Sequence, residues 1–241
     1  MKIALCISGQ PRLVSHGYKC IHKNIIQDHK VDTFIHTWYD SSINSAKEYG
    51  GSFTFDKDIK QTILDLYKPI DCTFEPPNTT FPGYENRANN IDYAQYCMFY
   101  SIKHANNLKI EDEQKCGFEY DVVIRTRFDA GILQPINFKH LNKDNLYSID
   151  AINNPKVYCD WLLYGDSKTL DKVCKLYDHI NELRPKIPTF CGEELLAYYL
   201  KDNNIICNKV MERQQGKNLV LIRETQESAA QSNCWIHYTE L

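Results

Sequence analysis

The stretch from residue 120 to residue 132, YDVVIRTRFDAGI, decides how this chain is read. Val122, Val123 and Ile124 form a continuous apolar run of the kind a buried strand shows. No turn residue intervenes before Arg125, Arg127 and Asp129. Side chains alternate along a strand, so these three are expected on one face, about 6–7 Å apart at a rise of about 3.3 Å per residue. Guanidinium forks match phosphate oxygens at two points. An aspartate one step beyond can hold a divalent cation, which bridges a diphosphate and acts as a Lewis acid on the leaving phosphate. The pattern fits a nucleoside diphosphate. The plainer alternative is a structural ion pair between Arg127 and Asp129 or their neighbours.

Working outward, IALCI (3–7), VDTFIHTW (31–38) and IDCTFEPP (70–77) read as further strands, the last closed by two prolines. Helical spacing appears in LVSHGYKCIHKNIIQDH, in DKDIKQTILDLYKP up to Pro69, and from Asp92 to Leu108. NLYSID and DWLLYGD are two more strands, KTLDKVCKLYDHINEL is one helix, and GEELLAYYLKDNN is another. NKVMERQQGKNLVLIRET reads as a strand pair around Gly216, and residues 39–56 and NTTFPGYENRANN read as loops. Strands alternating with helices predict an α/β fold, with a mostly parallel mixed sheet flanked by helices. No linker or repeat divides the chain, so one domain is expected.

Composition narrows the function classes. The chain has 241 residues, is 43% hydrophobic and 24% charged, and carries a net charge of −3. That is a globular balance with no basic field for nucleic acid. No apolar run approaches the ~20 residues needed to span a bilayer, and the N-terminus reads as a strand rather than a secretion signal. The ten cysteines form no C-x-x-C pair and sit partly among apolar residues, which predicts reduced thiols in a cytoplasmic setting.

Ligands of open α/β sheets lie beyond the carboxyl ends of the strands. The residues there are Ser8, Gly9, Gln10 and Arg12, then His36, Thr37 and Trp38, then Arg125, Arg127 and Asp129, then Asp160 and Trp161. This polar, partly cationic, aromatic set suits an anion with a planar ring. Ser8, Gly9, Arg12, His36, Arg125 and Arg127 are the candidate binding residues, and Asp129 is the candidate metal ligand. Gly9 stands outside any G-x-G-x-x-G or G-x-x-x-x-G-K pattern. Glu193 and Glu194 open a helix, where the dipole favours acids, and either is placed to be a general base. Asp160 suits a sugar hydroxyl or a turn cap. His237 reads as a satisfied histidine.

KIALCISGQPR, VDTFIHTW, AQYCMFYSIKHANNLK, YDVVIRTRFD, DWLLYGD and GEELLAYYL follow in an order that resembles small GT-A-type glycosyltransferases. These occur in bacterial surface-polysaccharide clusters and in large DNA viruses. The resemblance covers about residues 2–200. It implies a single Rossmann-like GT-A domain over 1–241, with a nucleotide-binding part to about 130 and an acceptor part beyond. It implies a nucleotide-sugar donor, a glycan acceptor, and Mn²⁺ or Mg²⁺ on an Asp-x-Asp motif. Phe128-Asp129-Ala130 stands in that place with one acid, so Asp129 is the implied ligand. Arg125 and Arg127 offer another way to neutralise a diphosphate. By the same resemblance Ser8, Gly9 and Arg12 contact the nucleotide and Asp160 faces the sugar and acceptor. Glu193 or Glu194 is then the base of an inverting transfer. A non-catalytic glycan-binding or assembly module and a sugar nucleotidyltransferase are the alternatives.

Overall fold

The first strand, β1 (Ile3–Gly9), is buried on both faces and sits in the middle of a seven-stranded sheet. It pairs in parallel with β2 (Val31–Trp38) and with β6 (Val122–Thr126), and β2 pairs in parallel with β5 (Asp71–Glu75). Near-continuous apolar runs suit such strands, because helices cover both sides. The other half is built from β8 (Asn145–Asp150), β9 (Tyr158–Gly165) and β10 (Ile206–Met211). There β9 runs antiparallel to both β6 and β8, and β10 is parallel to β8. The sheet is therefore mixed, in the order β10-β8-β9-β6-β1-β2-β5. The computed structural model describes residues 1–42, 45–48, 51–55, 58–87, 90–139, 141–150, 158–187, 191–211, 218–224 and 235–241.

Alternation along β1 feeds two cores. Ile3, Leu5 and Ile7 face α1 (Val14–Ile21) and α2 (Ile59–Tyr67), together with a small sheet of β7 (Ala130–Ile132), β11 (Leu219–Arg223) and β12 (Trp235–His237). Ala4 and Cys6 face α3 (Ile91–Cys116), α4 (Ser167–Cys174), α5 (Leu176–Leu183) and α6 (Gly192–Asp202). Asn90 caps α3 by accepting from the Tyr93 N–H at 3.0 Å, and Gly117, with φ 68°, ends it. Asp166 caps α4 through the Thr169 N–H, also at 3.0 Å. None of the described helices is long and apolar enough to cross a membrane.

Four readings change. Helix α3 runs eight residues past Leu108, to Cys116. Its last turns lack an apolar stripe and are held instead by the buried Lys109, whose Nζ donates to Glu113 at 2.9 Å, Ser167 at 2.5 Å and Asp171 at 2.7 Å. The stretch 168–183 is two helices, α4 and α5, not one. Strands β10 and β11 do not pair: β10 extends the large sheet and β11 lies antiparallel to β7, while the turn at Gly216 falls outside the described residues. The loop at 39–56 contains a hairpin, β3 (Ser45–Glu48) against β4 (Gly51–Thr54).

Candidate functional site

The expected common face of Arg125, Arg127 and Asp129 does not extend that far, because β6 ends at Thr126. Arg125 lies beside Cys6 in the β1–β6 register, on the side covered by α3, α4, α5 and α6. A turn follows, in which the Ala130 N–H donates to the Arg127 carbonyl at 3.3 Å, and it carries Asp129 against β11. The Asp129 carbonyl accepts from the Ile222 N–H at 2.9 Å. Helix α1 approaches the same turn so closely that a Cβ on Gly17 would stand 1.6 Å from the Phe128 carbonyl oxygen.

The Asp129 carboxylate is almost fully buried. Its Oδ1 accepts from Arg127 Nε at 2.5 Å, and its Oδ2 accepts from Arg127 Nη2 at 2.9 Å and from Arg223 Nη1 at 3.3 Å. Burial alone would raise its pKa; the fields of Arg127, Arg223 and Arg12 outweigh that and pull it below the usual carboxylate value. Arg12 itself is oriented by Gln10, whose Oε1 accepts from Nε at 2.9 Å and also from Nη2. The predicted ion pair of Arg127 with Asp129 is thus present, and it is bidentate.

These residues do not fit the divalent cation implied for Asp129. A metal would have to displace Arg127 and Arg223 from the two oxygens and remain in the field of Arg12. Among the described residues, no three His, Cys, Asp or Glu side chains converge as a ligand set. What the arrangement offers is three guanidinium groups around one acid, a local excess of positive charge at the ends of β1, β6 and β11.

Ser8 and Gly9 end β1. Ser8 Oγ accepts from Arg125 Nε at 3.4 Å. Gly9 adopts φ 110°, which favours glycine, while no atom crowds its missing Cβ. Its N–H donates to Ser101 Oγ at 2.8 Å. His36 does not project into the crevice; it is fully buried under α3. Glu75 Oε2 lies 2.9 Å from Nε2 and Ser101 Oγ lies 2.8 Å from Nδ1. A carboxylate only accepts, so Nε2 carries a proton toward Glu75, and the Ser101 hydroxyl beside Nδ1 also donates to the His36 carbonyl at 3.1 Å. Burial lowers the His36 pKa against the opposing pull of Glu75. Trp38 shares this face, 5.1 Å from the His36 ring. His237 is satisfied by the Glu224 carbonyl at 2.8 Å from Nε2.

The start of α6, whose first turn carries Glu193 and Glu194, lies beside Asp160. A Cβ on Gly192 would meet Asp160 Oδ2 at 2.4 Å, so the first turn of the helix lies against that carboxylate. Both glutamates stand in this turn, half-buried. Arg125 is buried, and its pKa is pulled down to about 10 by desolvation, with Asp160 opposing the fall.

Several participants were missed. An open cleft of about 390 Å³ lies at the ends of β2 and β5, lined by Asp40, Glu75, Asn78, Thr79, Tyr84 and Arg87 among others. Glu75 closes DCTFE and Arg223 closes LVLIR, so the strand-end rule that selected Arg125 also selects both. Ser101 and Gln95 lie on α3 and carry no such signal. The chain matches no protein-family model and no curated protein. Fold and site together define an α/β protein with an arginine-rich centre at the ends of its central strands.

Proposed function

We propose that this chain is a glycosyltransferase that moves a sugar from a nucleoside-diphosphate sugar to a glycan acceptor, using arginines where related chemistry uses a metal. The observation that carries the reading is the convergence of Arg12, Arg127 and Arg223 on Asp129. Fixed cations aimed at a diphosphate stabilise the charge that grows as it leaves, without reorganisation during the reaction. Asp129 holds the forks in place and is not itself a ligand. The cleft beside Asp40, Glu75, Tyr84 and Arg87 suits the nucleoside, with carboxylates for ribose hydroxyls and an aromatic ring for the base. It lies two to three strand spacings from the arginines, or about 10–14 Å, a span suited to one nucleotide.

Chemically, the acceptor hydroxyl oxygen attacks the anomeric carbon and gives its proton to Glu193 or Glu194. The bond from that carbon to the diphosphate oxygen breaks, and its electron pair leaves with the diphosphate. Configuration is inverted. The reading also places the protein in the cytoplasm, where its thiols stay reduced; none of the nine described cysteines forms a disulfide. The test is transfer and donor hydrolysis with a panel of nucleotide sugars, in EDTA and in Mn²⁺. Turnover is expected in EDTA, within about two-fold of the Mn²⁺ rate (about 0.4 kcal/mol, well under one hydrogen bond). No binding of any nucleotide sugar at millimolar concentration overturns the reading. Strict dependence on Mn²⁺ overturns the arginine role alone.

The closed ion pair at Asp129 also favours a second reading, a non-catalytic domain that binds a glycan or nucleotide sugar. Tight binding with no turnover across the panel selects it.

A further inference from the structure

Three polar atoms from three different elements lack a hydrogen-bond partner near the start of α6. They are Arg125 Nη1 on β6, Asp160 Oδ1 on β9 and Gln95 Oε1 on α3. Arg125 is 2% exposed and Asp160 is 7% exposed. Asp160 is the opposite charge that acts most strongly on Arg125, yet Nη1 and Oδ1 do not bond each other. Gly192 lets the first turn of α6 press directly on the cluster. A Cβ there would stand 2.4 Å from Asp160 Oδ2, 2.8 Å from Met98 Cε and 3.1 Å from Gln95 Oε1.

The chemistry of the missing partner follows from the two charges. A group between them must accept from a guanidinium N–H and donate to a carboxylate. A phosphate or carboxylate only accepts, and Asp160 repels it. An ammonium only donates, and Arg125 repels it. A hydroxyl does both. Gln95 offers an acceptor and donors on one amide, so it takes a second hydroxyl in either orientation. The centre at Asp129 is cationic; this one is balanced in charge.

We infer that Gln95, Arg125 and Asp160 form a subsite for neighbouring hydroxyls of a neutral sugar ring, and that the subsite discriminates against acidic sugars. The inference rests on the nucleotide-sugar reading for the molecule that carries the ring. It adds which sugars that molecule bears.

Calorimetric titration of the whole chain tests it, using nucleoside diphosphates and the matching nucleotide hexoses, hexuronates and monodeoxyhexoses. A bond to a charged group is worth about ten-fold or more in affinity. The hexose is expected to bind about ten-fold tighter than the hexuronate. Asp160→Asn should lower hexose binding about ten-fold and leave the nucleoside diphosphate within about two-fold. One monodeoxy donor should lose about as much on the unaltered protein, an arm that holds even if the variant does not fold. If the variant affects neither ligand or both alike, and every deoxy donor binds like its parent, the atoms hold water only and the inference falls while the donor reading stands. If no nucleotide or nucleotide sugar binds, both fall.

Discussion

Gly17 sits in the middle of α1, where alanine is ordinarily the better residue by about 0.8–1 kcal/mol. Propensity alone therefore predicts that Gly17→Ala stabilises the protein. The structure reverses the sign. The new Cβ would lie 1.6 Å from the Phe128 carbonyl oxygen and 2.8 Å from its carbon, and separations under 3.0 Å are essentially never seen. Helix or turn must retreat by about 1.4 Å, the gap between 1.6 and 3.0 Å, and the obstacle is backbone rather than a pliant side chain. A gap of 0.5–1 Å already forfeits about a quarter to a half of a dispersion contact. Val14, Cys20 and Ile21 on the buried face of α1 would lose that much and more. Overpacking of this kind costs about 1–3 kcal/mol and more where backbone is struck. Taking about 3 kcal/mol and subtracting the propensity gain leaves a net loss of about 2 kcal/mol. For a chain of this size that lowers Tm by about 4–8 °C. Urea titration and thermal melts of both proteins measure it. A Gly17→Ala variant as stable as the parent, or more so, would refute the packing of α1 on Phe128 and with it the placement of Asp129.

Asp129→Asn leaves Arg127 and the buried Arg223 without their acid and should cost about 3 kcal/mol in urea titrations. Nucleoside-diphosphate affinity in that variant should hold or rise; a collapse of affinity in Mn²⁺ would mean that the acid binds metal after all. Lys109→Met removes the only cation bonded to Glu113 and Asp171 among the described groups and should cost about 3–5 kcal/mol by the same measurement, with Glu113→Gln in the same chain recovering part of it. Burial holds the pKa of both His36 and His104 below 6.5 in the folded protein. The unfolded chain then binds protons first, so the urea midpoint should fall as pH drops through 6.5, and His36→Gln should flatten that fall. Asp129 has its pKa lowered instead, so its contribution is full above 3.8 and is lost below it. Among the described cysteines a thiol reagent at pH 8 should reach the exposed Cys116 first, and Cys6, Cys159 and Cys174 only on unfolding, as followed by mass spectrometry.

The strands flanking β1 were legible because burial on both faces leaves an unbroken apolar run, and VDTFIHTW matches β2 residue for residue. Helix α3 was legible only as far as its apolar spacing reached, since Lys109 and Glu113 serve by pairing across elements, which no local pattern records. The charged end of YDVVIRTRFDAGI stands out in the sequence, but alternation could not show that the strand stops at Thr126. Arg127 therefore turns onto Asp129, while Arg125 remains with Ser8 and Asp160. Arg223 obeys the strand-end rule, yet its meeting with Asp129 depends on β11 joining β7 rather than β10. Nothing near residue 223 encodes that choice.

The bond from Arg223 to Asp129 joins residues 94 positions apart. A ribosome completes β1 and β6 long before it reaches β11, so the emerging chain holds the acid and two of its cations without the third. The centre becomes whole only when one of the last strands docks beside β7. A fragment ending just before Leu219 would keep all seven strands of the large sheet and lack this grip. Arrival of β11 thus decides when the grip on Asp129 is complete, however early the central strands have formed.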